Sequence, residues 1–305
     1  MRIVCIGQAA FGEEVLRKLT ERGEEVVAVY TPQDTAARRN PLKEFAVQMG
    51  IPVFQPRSMR APEVYEEYIR LKPDLNVMAF VTSILPDSIL NYPSMGTIQY
   101  HPSLLPKHRG GSAINWAIIN GETKTGTTIF WPDRGVDTGP ILLQKEVEIS
   151  PDDTVGSLYF EKLFPLGIEA LVEAIELIKK GMAPRIPQDE SQATYEGLCI
   201  EKDAIINWSA PIDRVYNLIR GTNPQPGATT YFRGRKLKVF DAKPIYDIVG
   251  GLPGQIVDSG ADGFVVSLRR GAILVQKVQM DKSSKVEAAE FARQARLAQG
   301  DRLGK

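Results

Sequence analysis

Histidine is scarce in this chain, and the position of one histidine gives the first indication of chemistry. Only two occur among the 305 residues, His101 and His108. An apolar segment ending at Tyr100 leads into His101, and a turn-rich segment follows it. This profile predicts a strand that ends at His101 and delivers the imidazole to a cleft. Because imidazole gains and loses a proton near neutral pH, His101 is a candidate acid–base group.

A second segment of this kind offers carboxylates. It runs from Asp133 to Pro140, contains Asp137, and follows the apolar run from Thr127 to Trp131. A histidine and a carboxylate at two strand ends are a common acid–base pair in enzymes. We therefore expect the two segments to meet in one site.

Alternating strands and helices are predicted to position these segments. Residues 2–7 and 25–30 have the unbroken apolar character of buried strands, and an amphipathic helix is predicted between them from Glu13 to Glu21. A strand–helix–strand opening implies a parallel sheet, in which ligands bind at the carboxyl ends of the strands. The end of the predicted strand from Leu75 to Val81 is therefore either a binding surface or plain core.

The sequence argues against nucleotide and metal cofactors. The first turn has the spacing Gly7-x-x-x-x-Gly12, which lacks the middle glycine of a dinucleotide site, and no phosphate-binding loop of the Walker type occurs. Cys5 and Cys199 are the only cysteines, which excludes a disulfide scaffold and a cysteine-rich zinc site. With no signal peptide and no apolar run of membrane-spanning length, we expect a cytoplasmic protein without membrane contact.

The pattern changes after Trp208, where short strand-like runs alternate with glycine and proline. We predict an α/β fold with a mostly parallel, doubly wound sheet in residues 1–182, a linker in residues 183–204, and a small β-rich, barrel-like domain in residues 205–305. The run Ser284-Lys285-Val286-Glu287 has a capping-box pattern, which predicts a final helix reaching about Ala298.

Charge is uneven along the chain although the totals of basic and acidic residues are both 37. From Asp203 to the end there are 16 Lys and Arg against 10 Asp and Glu, and the excess is reversed in the remainder. A basic second domain indicates either an anionic partner or an uneven surface without function.

Three motifs together resemble the signature of the 10-formyltetrahydrofolate-using formyltransferases. They are His101-Pro102-Ser103-Leu104-Leu105-Pro106, then Arg109-Gly110, and then Asp137-Thr138-Gly139. The resemblance covers essentially the whole chain and implies a formyltransferase-type catalytic domain. It also implies that 10-formyltetrahydrofolate is the co-substrate.

The resemblance implies a catalytic set of His101, Asp137 and Gln99, where Gln99 occupies the position of the family's asparagine. Attack on the formyl carbon produces a tetrahedral oxyanion, to which a side-chain amide and a histidine can donate. Asp137 is expected to orient the His101 ring and to favour its protonated form. Gln99 is one methylene longer than asparagine, so its amide either reaches the oxyanion or points elsewhere. His108 is expected at the surface or at the substrate rim.

The resemblance also implies two sets of binding residues, each of which has simple packing as the alternative. The residues expected to contact the pterin end of the folate are Phe80, Val81, Thr82, Ile84, Asp133, Arg134, Gly135 and Val136. The residues expected at the bound substrate are Ser103, Leu104, Pro106, Arg109 and Gly110.

The acceptor of the formyl group is open at this point. Transfer to the amine of initiator methionyl-tRNA is favoured by six basic residues of the second domain that could meet phosphates: Arg233, Arg235, Lys236, Lys238, Arg269 and Arg270. Against it, the loop after the second strand is short and carries only Arg38 and Arg39, whereas the tRNA enzymes have a basic insertion there.

Two further hypotheses remain. Hydrolysis to formate and tetrahydrofolate is favoured by segments that resemble the hydrolase domain of 10-formyltetrahydrofolate dehydrogenase: residues 100–102, 112–116, 130–131 and 194–197. A folate-binding protein without catalysis is suggested by Gln99, but His101 and Asp137 argue against it.

Overall fold

The computed structural model describes residues 1–34, 39–247 and 250–304. Contacts divide the chain into two compact units. The first comprises Met1–Gly111, Gly126–Val147 and Glu161–Tyr195, and the second comprises Ser112–Thr125, Glu148–Phe160 and Glu196–Lys305. Arg38, named above for the loop after the second strand, lies outside the described residues.

The first unit is built on a seven-stranded sheet. Its strands are β1 (Arg2–Gly7), β2 (Glu25–Tyr30), β3 (Val53–Phe54), β4 (Leu75–Ala79), β5 (Thr97–His101), β6 (Lys124–Phe130) and β7 (Ile141–Glu148). They lie in the order β3-β2-β1-β4-β5-β6-β7. The first five run parallel to their neighbours, whereas β6 pairs with β5 antiparallel. The predicted mostly parallel α/β sheet is confirmed.

Helices alternate with these strands along the chain. They are α1 (Ala9–Glu21), α2 (Pro41–Gln48), α3 (Pro62–Arg70), α4 (Asp87–Leu90), α5 (Ala113–Ile119), α6 (Val155–Ser157) and α7 (Phe164–Lys179), with a π-helical stretch at Leu158–Leu163 and a 3₁₀ turn at Glu190–Gln192. Alternate side chains of β1 point to opposite faces. Ile3 packs with α1 and α7, and Val4 packs with α3 and α4, so both faces of the sheet are covered.

The second unit contains two four-stranded antiparallel sheets. Their strands are β8 (Ala228–Phe232), β9 (Arg235–Val239), β10 (Ala242–Ile245), β11 (Ile256–Gly260), β12 (Gly263–Ser267), β13 (Ala272–Val275), β14 (Lys277–Met280) and β15 (Val286–Glu287). The orders are β10-β13-β12-β11 and β15-β14-β9-β8. A 3₁₀ turn (Glu201–Ala204), α8 (Ile212–Gly221) and α9 (Ala288–Gln294) complete this unit. The predicted β-rich second domain is confirmed.

One predicted element differs. Val286 and Glu287 form β15 instead of capping a helix, because they pair with Val278 and Lys277 of β14. The final helix α9 consequently begins at Ala288 and ends at Gln294, short of the predicted Ala298.

Residues 112–125 pack within the second unit. Asn115 of α5 donates from Nδ2 to the carbonyl oxygens of Gly221 at 2.9 Å and of Gln225 at 3.1 Å. Gly221 is required there, because a Cβ atom on it would lie 2.6 Å from the Ile119 side chain. Among the described residues, no helix has both the length and the apolar character needed to span a bilayer.

Candidate active site

His101 is the last residue of β5, and its side chain is withdrawn from solvent, with 5% of the residue exposed. Side chains alternate along a strand, so His101 and Gln99 lie on the same face of the sheet. Gln99 pairs with Met78 of β4 and with Phe130 of β6, near the middle of the sheet. The strand therefore presents an imidazole and an amide together at its carboxyl end, as the sequence predicts.

The turn after β5 fixes one nitrogen of the imidazole. His101 Nε2 lies 2.8 Å from the backbone oxygen of His108. A carbonyl oxygen only accepts, so Nε2 carries the proton of this hydrogen bond. The turn itself is held by the Ser103 hydroxyl, which donates to the Lys107 oxygen at 2.6 Å.

His108 is not at the surface, so the first of the two alternatives predicted for it is wrong, and a place at the substrate rim stays a prediction. Only 3% of the residue is exposed, and its backbone has a left-handed φ of 56°. Its N–H donates to the Thr194 hydroxyl at 2.8 Å. His108 contributes to the site through its backbone, which sequence reasoning about side chains does not detect.

Asp137 faces the other nitrogen of His101. The distance from Asp137 Oδ2 to His101 Nδ1 is 3.5 Å, and Oδ2 also accepts the backbone N–H of Gly110 at 2.8 Å. Asp137 has a left-handed φ of 56°. The histidine at the end of β5 and the aspartate on the loop between β6 and β7 therefore lie side by side.

The protonation state of His101 is set by opposing influences. Burial lowers the pKa of His101 from its ordinary value of 6.5, while Asp137 and the His108 carbonyl act to raise it. The net direction is downward, so the pair favours a neutral imidazole with its proton on Nε2. Asp137 acts in the expected direction, toward the protonated form, but burial outweighs it. Nδ1 is then a base that faces a carboxylate.

A network that sequence reasoning missed holds Asp137 in place. The Gln188 amide donates from Nε2 to the backbone oxygens of Asp137 at 2.8 Å and of Gly139 at 2.7 Å. Arg109 donates to Gln188 Oε1 from Nη2 at 2.8 Å and pairs with Glu190 at 2.6 Å. Gln188 and Glu190 lie in the predicted linker, where the only signal was a polar run after Pro187.

The five residues predicted to contact the substrate make hydrogen bonds, an ion pair or packing contacts with other residues of the site. Ser103 donates to Lys107, the Gly110 N–H donates to Asp137, and the Pro106 oxygen accepts from the Thr194 N–H. The Arg109 side chain is 8% exposed and is engaged by Gln188 and Glu190. Leu104 packs closely against Gly126, where a Cβ atom would lie 2.6 Å from it.

The side-chain amide of Gln99 is available to bind a ligand. In the part of the chain that the structure describes, its side chain makes no hydrogen bond, and it is partly exposed. Both features suit an amide that donates to a bound ligand.

A cavity of about 650 Å³ opens at the carboxyl ends of β1, β2, β3 and β4. The four residues after β4 that are predicted to contact the folate all line it: Phe80, Val81, Thr82 and Ile84. Phe80 and Ile84 are exposed, and Phe80 has a left-handed φ of 62°. Large apolar side chains exposed in a concavity are typical of a ligand site.

The other predicted folate residues lie on the loop after β6. Asp133 Oδ1 accepts from the Gly135 N–H and the Thr138 hydroxyl, which closes the loop. Arg134 pairs with Asp87 at 2.6 Å, and these two residues line a second hollow of about 320 Å³ together with Ile84. Val136 is exposed. The residues after β4 and those on the loop after β6 are both predicted to contact the folate, and they meet around Ile84 and Arg134.

The described residues contain no group of three or more His, Cys, Asp or Glu side chains arranged to hold a metal ion.

Comparison with known protein families identifies the family of this chain. The model described as formyl transferase matches residues 1–175, and the model described as formyl transferase, C-terminal domain, matches residues 200–296. The chain belongs to the formyl transferase family. The resemblance predicted from the three motifs is thereby confirmed, and the protein is a formyltransferase-family enzyme.

Relatives fall into two groups at similar identity. The chain is 42% identical over 307 residues to the cytosolic 10-formyltetrahydrofolate dehydrogenase of Mus musculus, with 95% of the chain aligned but only 34% of the dehydrogenase. The chain thus spans about a third of the length of that relative. It is 40% identical over 311 residues to the methionyl-tRNA formyltransferase of Acetivibrio thermocellus, with 100% of both chains aligned.

Solved structures share the fold. HypX from Aquifex aeolicus, crystallised with tetrahydrofolic acid, is 21% identical with a TM-score of 0.69 over 96% of this chain and 47% of HypX.

Proposed function

We propose that this enzyme transfers the formyl group of 10-formyltetrahydrofolate to an amine. The observation that carries the proposal is the buried His101–Asp137 pair at the end of β5, in a chain that aligns over its full length with a methionyl-tRNA formyltransferase.

The proposed reaction begins when the amine nitrogen attacks the formyl carbon. A C–N bond forms and the carbonyl oxygen becomes an oxyanion in a tetrahedral adduct. The adduct collapses when the bond from carbon to N10 of the folate breaks, and N10 leaves with a proton. The enzyme must stabilise the oxyanion and move one proton from the attacking nitrogen to the leaving nitrogen.

The residues of the site suit both tasks. Neutral His101 has its proton fixed on Nε2 by the His108 oxygen, so Nδ1 is the nitrogen that takes up the proton of the amine. The resulting imidazolium is stabilised by Asp137, 3.5 Å away, and then returns the proton to N10. Gln99 shares a face with His101, and its amide makes no hydrogen bond to another described residue, so it is available to donate to the oxyanion.

For the folate, we propose that the pterin lies near Ile84, between Phe80, Val81 and Thr82 on one side and the loop of Asp133, Arg134, Gly135 and Val136 on the other. The hollow that joins Ile84 to Arg134 supports this placement.

Initiator methionyl-tRNA is the proposed amine, with a reduced set of phosphate contacts. Arg233 pairs with Asp301 at 3.1 Å, Lys236 pairs with Glu201, and Lys238 donates to the Pro226 oxygen at 2.7 Å. These cations are already engaged within their own unit. Arg235, Arg269 and Arg270 remain to meet phosphates. In the loop after β2, Arg39 is exposed and lies 3.7 Å from Glu44.

Hydrolysis is the second candidate, and a specific observation favours it. The chain is 42% identical to a 10-formyltetrahydrofolate dehydrogenase over a third of that protein's length. In this case water replaces the amine, and formate and tetrahydrofolate are released through the same adduct. Non-catalytic folate binding is the least favoured function, because His101 and Asp137 are both present and adjacent.

The deciding experiment follows tetrahydrofolate release from 10-formyltetrahydrofolate, first in buffer and then with charged initiator tRNA. Release that requires the tRNA, with formyl-methionine formed, supports transfer. Equally fast release in buffer overturns the transferase proposal in favour of hydrolysis. Folate binding without release in either case overturns both hydrolysis and initiator methionyl-tRNA as the acceptor, and points to another amine, such as an amino sugar, or to folate binding without catalysis. Asp137→Asn serves as the inactive reference.

A further inference from the structure

Thr194 holds the turn that follows β5 through both its backbone and its side chain. The Thr194 N–H donates to the Pro106 oxygen at 3.2 Å, and the Thr194 oxygen accepts the Arg109 N–H at 3.0 Å. Between these two contacts, the Thr194 hydroxyl accepts the His108 N–H at 2.8 Å. A side-chain substitution at this position therefore removes the hydroxyl contact and leaves both backbone contacts possible.

The backbone of His108 connects Thr194 to His101. Its N–H is bound by the Thr194 hydroxyl, and its oxygen lies 2.8 Å from His101 Nε2. The backbone angles of a residue fix the direction of its carbonyl relative to its N–H, so a contact that holds the N–H helps to aim the carbonyl. His108 has a left-handed φ of 56°, a conformation that is uncommon for residues other than glycine and that persists where the surroundings hold it.

Two tautomers of neutral His101 compete at this place. With its proton on Nε2 the ring donates to the His108 oxygen, and with its proton on Nδ1 it would face the Asp137 carboxylate at 3.5 Å. A carboxylate is the stronger acceptor, but the distance to the carbonyl oxygen is the better one for a hydrogen bond. The preference for Nε2 therefore depends on the His108 carbonyl keeping its position.

We propose that Thr194 is a positioning residue that holds the His108 carbonyl against Nε2 and thereby keeps Nδ1 of His101 unprotonated. Thr194 acts through His108 and does not touch the reacting atoms. The effect on the rate rests on the proposed function, in which Nδ1 takes up the proton of the amine. The effect on the tautomer rests on the geometry alone.

Nitrogen-15 NMR of histidine-labelled protein reads the tautomer directly, because protonated and unprotonated ring nitrogens differ in chemical shift. The sequence has only two histidines, and His101→Gln identifies the signals of His101. Spectra at about pH 8, above the ordinary pKa of imidazole, observe the neutral ring. Thr194→Val removes the hydroxyl at nearly constant volume, and Thr194→Ser keeps it. Thr123→Val, at an exposed threonine of the second unit, is the matched control.

The parent, Thr194→Ser and the control should all carry the proton on Nε2. Thr194→Val should raise the fraction of the Nδ1–H tautomer by about two- to tenfold, the range that one hydrogen bond allows. It should lower kcat for formyl release by a similar factor, with KM for the folate little changed.

A parent spectrum with the proton on Nδ1 would overturn the proposal, and this test stands even if Thr194→Val fails to fold. Parent-like tautomer populations in a folded Thr194→Val would also overturn it. A changed tautomer with unchanged kcat would support the positioning by Thr194 and would count instead against Nδ1 as the base of the proposed reaction.

Discussion

The side-chain amide of Gln188 donates to the backbone oxygen of Asp137 at 2.8 Å, across 51 positions of sequence. A second bond from the same nitrogen reaches the Gly139 oxygen at 2.7 Å. Gln188 therefore holds the backbone on both sides of Thr138 through two hydrogen bonds. Asp137, at one end of this segment, has a left-handed backbone conformation. The Asp137 carboxylate beside His101 is therefore positioned by Gln188. This residue belongs to the segment 183–204, which contains no proposed catalytic side chain.

Replacing Gln188 by alanine should slow formyl release by about 10- to 100-fold, because small displacements of a reacting group are costly. KM for the folate should change little, since Gln188 does not line either folate hollow. Steady-state kinetics over a series of pH values would measure both quantities. Gln192→Ala removes a nearby exposed amide and is the matched control. A fall in thermal stability with unchanged kcat would assign Gln188 a structural role only.

His101→Ala and Asp137→Asn should each reduce deformylation of 10-formyltetrahydrofolate by about 10²- to 10⁴-fold, the usual contribution of an acid–base group. Asparagine keeps an oxygen that can accept from Gly110 N–H, so Asp137→Asn should retain the fold. Tetrahydrofolate release measures the rate, and circular dichroism checks folding. Asp262→Asn, an exposed change in the second unit, is the control. Retained turnover in either variant would remove that residue from the mechanism.

Much of this architecture could be predicted because it depends on local pattern. The unbroken apolar runs identified β1, β2 and β4, and the motif around His101 identified the end of β5. The joining of segments distant in sequence could not be predicted. Residues 112–125 pack with α8 through hydrogen bonds from Asn115, which local pattern does not encode.

The candidate site likewise combines residues that local sequence pattern predicts with residues that it does not. The meeting of His101 and Asp137 could be predicted, because each follows an apolar run, whereas Gln188 could not, because it acts from a loop with no periodicity. The direction of the His101 pKa was also missed. Attraction to Asp137 can be anticipated from charge, but the larger effect of burial requires knowing that the imidazole is enclosed.

Gln99 offers a direct test of the oxyanion contact. Gln99→Ala should lower the rate of formyl release by about a hundredfold, since removal of an oxyanion donor has an effect of that size. Gln99→Asn should keep most of the activity, because the amide remains on the same face of β5. Rates at saturating folate would separate the chemical step from binding. If the alanine variant matched the parent, Gln99 would not be the donor.

Stability should depend on pH through His101. Its pKa is lowered in the folded protein, so in the range below about pH 6.5 the unfolded chain binds a proton more readily than the folded one. This contribution to stability is fully present above that range and is lost as pH falls through the lowered pKa, at no more than about 1.4 kcal/mol per pH unit. Urea unfolding of the parent and of His101→Gln between pH 7.5 and 5.5 would measure it. The variant should lose less stability over this range, and an equal or larger loss would mean that burial does not hold the imidazole neutral.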